Sequence, residues 1–266
     1  MFVSIKKKKK GKYELLRFIP KDGLVITNAD NPLCTEYLDE LECDKKLLFG
    51  IEEENHPDVL ITDIDSKLNG TSFQVNGTSV GKQTVETPVV GAHNVTNMVP
   101  ALMYCYHQGM KVESLIDLSR ELPKTSHGSI KIYPLSNATI IDDSYNSNPE
   151  GFSSVLDVMS KFPAEKKRIV ITRGMLELAE KSAELHEKVA GDISFVANEL
   201  IVTKKDAYQW FKKGIVEKYD ISAQLVEDPE KLLNIIKKYS KQDVVILLEN
   251  RMHTNIQNYI AKYKPE

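Results

Sequence analysis

The stretch ATIIDDSYNSNPEG, residues 138–151, decides how the second half of the chain folds. Its first four residues are apolar and mostly β-branched, the composition of a buried strand. Asn148-Pro149-Glu150 then supplies a helix N-cap, a proline pre-set for the first turn and an acid facing the helix dipole. A strand therefore runs into a helix across a turn loaded with polar groups. Downstream, RIVIT (168–172), ELIVT (199–203), AQLV (223–226) and VVILL (244–248) repeat the apolar run, with amphipathic helical stretches between them. Asp228-Pro229-Glu230 repeats the helix start. Apolar strands alternating with helices predict an α/β fold with a parallel sheet covered on both faces.

Before residue 124 the pattern is less regular, and Pro123 is a plausible boundary. GLVITNADNP (23–32) reads as a strand ending in a turn, and KKLLFGI (45–51) and DVLITDI (58–64) as further strands. GAHNVTNMVPALMYCYHQGM (91–110) is helical, and KVESLIDLSRELP (111–123) closes the region. Between them lies NGTSVGKQ (76–83), which looks at first like a phosphate-binding G-x-x-x-x-G-K-[ST] loop. Asn76 stands at the first glycine, Gln83 replaces the metal-binding hydroxyl, and a β-branched segment with Pro88 follows where a helix should start. SFQV before it and TVETPVV after it instead predict a β-hairpin turning at Asn76-Gly77.

At 266 residues the chain is long enough for two domains. A net charge of −3 gives no support to nucleic-acid binding. The run Lys6–Lys10 reads as a solvated helix start, because no other basic residues cluster near it. Cys34, Cys43 and Cys105 lack metal-like spacing, and with no secretory signal they suggest a reducing cytoplasm. No apolar run approaches the roughly 18 residues of a membrane span. No residue is assigned a covalent catalytic role or a metal-ligand role.

In an open parallel sheet, ligands bind beyond the carboxyl ends of the strands. Asp143 and Asn146 sit at such an end with no evident structural task, which points to ligand contact. Asn148 has a sufficient one as N-cap. Asn94 and Asn97 share one helix face, suited to capping or to a nucleobase or peptide edge. His186 lies on a stripe with Ala179, Ala183, Ala190 and Ile193, so it is expected to pack between helix and sheet.

These same segments resemble the Mur ligases. GAHNVTN (91–97) is similar to that family's G-x-H-N-x-x-N. IIDDSYNSNP (140–149) and GMLELAEKSAELH (174–186) look like D-D-S-Y-N-A-N-P and G-D-M-L-E-L-G-x-x-S-x-x-L-H, and KYELLRFIPKDGLVITNAD (12–30) matches an upstream motif. The resemblance runs the length of the chain. It implies that residues 1–123 are the C-terminal part of a central ATPase-like domain. Residues 124–266 would be a Rossmann-like, mostly parallel C-terminal domain.

The implied reaction joins D-alanyl-D-alanine to a UDP-linked muramoyl tripeptide, a peptidoglycan precursor. ATP with Mg²⁺ phosphorylates the precursor carboxylate, and the dipeptide amine displaces phosphate. By the match, Asn94 and Asn97 lie at the adenine side of the nucleotide and Asp143 contacts its ribose. Tyr145, Asn146 and Asn148 line the junction with the acceptor amine, while Arg173 and Arg251 are candidate phosphate contacts. The family's G-T-x-G-K-T loop belongs upstream of KYELL, where this sequence has few residues, and the uridine-binding domain lies further upstream still. Departures occur at Gly128-Ser129, Arg173-Gly174-Met175, Glu177-Leu178-Ala179 and Leu248-Glu249-Asn250-Arg251. Three readings follow: part of a longer ligase, one half of a split enzyme whose N-terminal half is a separate chain, or a non-catalytic binding module for nucleotide or dipeptide. On the first two, the chain alone is expected to be inactive and to bind ATP weakly or not at all.

Overall fold

A computed structural model describes residues 5–123, 130–145 and 147–264, with side chains from residue 11 onward. The chain divides into two compact units, Met1–Pro123 and Lys124–Glu266.

The first unit is built from α1 (Ile5–Leu16), β1 (Leu24–Asn28), α2 (Pro32–Thr35), β2 (Lys45–Gly50), β3 (Val59–Lys67), β4 (Gly70–Gly77), β5 (Gly81–Thr87), α3 (Ala92–His107) and α4 (Val112–Arg120). Its strands form one sheet in chain order, β1–β2–β3 parallel and β3–β4–β5 antiparallel. The strands expected around 23–32, 45–51 and 58–64 are present. Phe49, Ile61, Phe73 and Val85 of the sheet close a core with Val95, Val99 and Met103, the buried stripe of α3. A smaller cluster of Val25, Leu38, Leu41 and Cys43 is flanked by Leu16, Ile19 and Leu48.

The hairpin over 76–83 is present, but its turn is displaced from Asn76-Gly77. Asn76 pairs with Lys82 and Gly77 with Gly81, so both belong to β4. The reversal is the three-residue loop 78–80, where the Val80 N–H donates to the Gly77 carbonyl at 3.2 Å. Positive φ falls on Gly81, at +63°. Longer hairpin loops place a glycine in this conformation where the chain re-enters the ladder, and that geometry displaced the two-residue Asn-Gly turn.

The second unit contains β6 (Lys131–Leu135), β7 (Ala138–Asp143), α5 (Pro149–Ser160), β8 (Lys167–Thr172), α6 (Ser182–Val196), β9 (Glu199–Val202), α7 (Lys205–Gly214), β10 (Ser222–Leu225), α8 (Pro229–Tyr239), β11 (Val244–Glu249) and α9 (Thr254–Ile260). Its sheet runs β10–β9–β8–β11–β7–β6, all pairs parallel except β6–β7. All five expected strands are there. The additional one, β6, contains Pro134, which cannot donate to a ladder and is tolerated because β6 is an edge. Both helix starts cap as their sequences require: Asn148 Oδ1 accepts from the Gly151 N–H at 2.8 Å, and Asp228 Oδ1 from the Glu230 N–H at 2.9 Å. Alternate residues of β7, β8 and β11 (Ile140, Ile169, Ile171, Ile246, Leu248) pack with Leu232 and Ile236 of α8 and Ile256 and Ile260 of α9. The opposite face carries Ile141, Val170 and Leu247, on the side of the contiguous helices α5, α6 and α7. Strand β11 inserts between β7 and β8, so the order of the sheet reverses there, which is where open α/β sheets place ligands. No helix among the described residues is long and apolar enough to cross a membrane.

Candidate functional site

The carboxyl ends of β7, β11 and β8 are tied together by Asn250. It follows β11, is 1% exposed and adopts φ +65°, a left-handed conformation that asparagine tolerates better than most residues. Its backbone N–H donates to the Asp143 carbonyl at 3.2 Å, and its side-chain Nδ2 to the Gly174 carbonyl at 2.6 Å. Its Oδ1 accepts from the Arg251 N–H at 2.7 Å. One residue, through its backbone and its side chain, thus ties the ends of three strands.

The turn after β8 is held from a second direction. His186 is buried on α6, as expected, with Nε2 accepting from the Met175 N–H at 2.9 Å and Nδ1 against the Ser182 carbonyl at 2.6 Å. Burial lowers its pKa, the Ser182 bond opposing, so the neutral ring donates from Nδ1 and accepts at Nε2. It packs against Trp210 and Phe211 at ring separations of 5.2 and 5.0 Å. Gly174 is required between them. Its φ is +89°, and a Cβ there would lie 2.6 Å from Ala207 Cβ and 2.8 Å from His186 Nε2.

The acids at this edge fall on opposite faces. Asp142 points with Ile140 toward the α8–α9 side, where Tyr133 Oη donates to it at 3.2 Å, Lys264 Nζ at 2.6 Å and Ser144 Oγ at 2.5 Å. Burial pushes its pKa up, but the bonds from Lys264 and Ser144 outweigh this and hold it below the ordinary carboxylate value. Asp143 and Glu249 are register partners on the other face, with Thr172 of β8 next in line. Asp143 is half-buried. Glu249 is fully buried, and among the described residues no donor completes a hydrogen bond to either of its oxygens.

Other predicted residues take their places around this edge. Asn148 serves as the N-cap of α5, and Tyr145 is 52% exposed. Arg173 is half-buried, its Nε without a partner among the described residues, and Arg251 is exposed. Asn146 and the Gly128-Ser129 departure lie outside the described residues. Sequence reasoning noted Glu249 and Asn250 only at a strand end, within a departure from the family pattern, and passed over Ser147 and Lys264. A carboxylate at the end of an otherwise apolar run was the available signal for Glu249.

Asn94 and Asn97 belong to the first unit. Gly91 opens α3 with φ +104°, and its N–H donates to the buried Ser66 Oγ at 2.9 Å. Asn94 Nδ2 donates back to the Val90 carbonyl at 2.8 Å, which fixes the entry to the helix. Asn97 is exposed one turn on. His93 is half-buried, its pKa lowered by that burial, and its Nδ1 has no partner among the described residues. A cavity of about 460 Å³ lies elsewhere in this unit, between the hairpin and helices α3 and α4, walled by Leu47, Val75, Val99, Met103 and Leu115. The NGTSVGKQ hairpin therefore borders an apolar cavity and offers no helix N-terminus to a phosphate. None of the predicted site residues lines it. No group of three or more His, Cys, Asp or Glu among the described residues could hold a metal ion.

The chain belongs to the Mur ligase family: residues 1–105 match the Mur ligase middle domain and residues 131–248 the family described as Mur ligase, glutamate ligase domain. Its relatives include a UDP-N-acetylmuramoyl-tripeptide–D-alanyl-D-alanine ligase of Bacillus subtilis, 23% identical over 242 residues, which are 90% of this chain and 51% of that protein. Among solved structures, MurF from Acinetobacter baumannii superposes with a TM-score of 0.77 at 19% identity, over 97% of this chain and 55% of that one. MurF from Thermotoga maritima in complex with ADP gives 0.75 at 21%, over 97% and 57%. These two likenesses concern the fold. The chain spans between 39% and 51% of the length of the first curated relatives it matches, so it represents about half of such a protein.

Proposed function

We propose that this chain forms the nucleotide- and acceptor-binding portion of an ATP-dependent amide-bond-forming ligase that adds D-alanyl-D-alanine to a UDP-N-acetylmuramoyl-tripeptide. The observation carrying this reading is the ordered pair of family matches together with a strand-end site of the right chemistry, in which an acceptor carboxylate at Asp143 stands among fixed loops. Carboxylates accept hydrogen bonds from ribose hydroxyls, and amides such as Asn94 and Asn97 suit a base edge. Arg173 and Arg251 supply positive charge at the same strand ends as Asp143.

ATP supplies the phosphoryl group that activates the precursor carboxylate. The residues of this chain bind and orient: Asp143 the ribose, and Tyr145, Asn146 and Asn148 the junction with the attacking amine. Mg²⁺ does not fit the described residues, since no three ligating groups converge. The 266 residues also contain no G-x-x-x-x-G-K-[ST], so no phosphoryl-transfer step is assigned to them. On this reading the protein works in the cytoplasm, where its nucleotide-linked substrates are.

Calorimetric titration with ATP and with D-alanyl-D-alanine tests the proposal. Heat from at least one of them at millimolar concentration is expected, and silence from both would sink it. The split-enzyme reading differs in one observable: it requires a co-purifying polypeptide that carries the phosphate loop.

A further inference from the structure

We propose that Asp143 and Glu249 hold one proton between them, carried by Glu249 and donated to Asp143, so that Glu249 is the positioning residue for the single carboxylate the strand edge presents.

The geometry leaves little else for Glu249 to do. It ends β11 at the register position of Asp143, on the same face of the sheet, and it is 0% exposed. The groups acting on it are Asp143 and Ser147, yet among the described residues neither carboxylate oxygen of Glu249 has a donor, and Ser147 Oγ, itself buried, also lacks a partner. Two ionised carboxylates offer each other only acceptors; one proton turns one of them into a donor and satisfies both. Leaving a second charge buried beside the first would cost far more than binding that proton.

The surrounding charges do not supply an alternative. Asp142 lies on the opposite face and is committed to Lys264, Tyr133 and Ser144. Thr172 beside Glu249 on β8 is neutral, with Oγ1 accepting from the Gly174 N–H. On the α6 side His186 is neutral, and Glu150 in the first turn of α5 is exposed. Neither Arg173 nor Arg251 gives Glu249 a hydrogen bond. Burial, and next the Asp143 charge, raise the Glu249 pKa well above the ordinary value; burial raises Asp143 to about 6, the Glu249 bond opposing and the Asp142 charge adding. Such a pair titrates as a unit. Its more exposed member, Asp143, carries the charge, and the buried donor fixes the direction in which its free oxygen faces. The identity of the ligand there rests on the proposed function; the shared proton does not.

The test is carboxyl ¹³C NMR of the ligand-free full chain across pH 4 to 9. Asp143 is expected to titrate near pH 6 while Glu249 stays protonated through that step, and a Glu249 that ionises in the ordinary carboxylate range overturns the proposal. This reading needs no variant. E249Q keeps a neutral donor and is expected to leave the Asp143 step in place, whereas E249L removes the donor and moves it up by about one pH unit, a tenfold change. Both variants moving it down would mean that Glu249 is ionised, and would refute the idea. ATP titrations at pH 7 separate the two proposals: E249Q retains the wild-type affinity and E249L loses about twofold from the smaller ionised fraction of Asp143. A wild-type chain that gives heat with neither ATP nor D-alanyl-D-alanine counts against the proposed function while the NMR result stands.

Discussion

Replacing Asn250 is the most severe single-residue test of the strand-end architecture. Asn250→Ala deletes the bond to the buried Gly174 carbonyl and the acceptor for the Arg251 N–H. Orphaning a buried acceptor costs about 1–3 kcal/mol, and losing the second, half-buried bond about 0.5–1.5. Alanine at φ +65° adds about 1 kcal/mol of backbone strain. The sum is about 2.5–5.5 kcal/mol. Asn250→Gly removes the same bonds without that strain, so it is expected to cost about 1 kcal/mol less than alanine. Trp210 is the only tryptophan and packs on His186 in the second unit, so its fluorescence in a urea titration reports that unit alone. With a urea slope of about 2 kcal/mol/M, the alanine midpoint falls by about 1.3–2.8 M with an unchanged slope. A loss below about 1 kcal/mol, or a glycine variant less stable than alanine, would refute the account of Asn250 as the tie between three strands.

Four further outcomes follow from the same geometry. Gly174→Ala meets both a left-handed φ and the 2.6 Å contact with Ala207 Cβ, and is expected to destabilise the second unit by about 2–4 kcal/mol in the same titration. Lys264→Met removes a charged bond to buried Asp142 and costs about 1–3 kcal/mol at pH 7. Because the folded Asp142 pKa is lowered, that stability is present above about pH 4 and lost as pH falls through the folded value, so the cost should fade in acid unfolding curves. Asp143 and Glu249 have raised values and act in the opposite sense: their contribution is complete below about pH 4 and lost as pH rises through about 6 and beyond, so E249Q should gain on wild type in thermal melts at pH 8. Asn97→Ala, at an exposed position, should leave stability within about 0.5 kcal/mol of wild type while weakening the proposed nucleotide contact, a difference read by melting with and without ATP.

What could be read from the chain follows the range of the interactions concerned. The five apolar strands and the two capped helix starts depend on neighbours within a few residues, and they are present. His186 was placed correctly because a helical stripe reports burial directly. Strand β6 escaped notice because Pro134 argues against a central strand, and only the sheet order reveals that β6 is an edge. The hairpin was legible but its turn was not, since glycines at both 77 and 81 could carry the reversal and pairing across the ladder decides between them. The acid pair was out of reach for a deeper reason. Asp143 and Glu249 meet only because β11 inserts between β7 and β8, a choice made by the whole sheet. The Lys264–Asp142 bond likewise joins the end of the chain to a strand more than a hundred residues earlier.

The central claim is that these residues orient substrates for a ligase whose phosphate-transferring loop is not among them. Phosphate release measured with ATP, Mg²⁺, UDP-N-acetylmuramoyl-tripeptide and D-alanyl-D-alanine tests it most directly. The 266-residue chain alone is expected to release none. Joined to or mixed with a polypeptide that carries the G-T-x-G-K-[ST] loop, it should release one phosphate per dipeptide consumed. Dipeptide-dependent release by the chain alone, or none with the loop supplied, would contradict the claim.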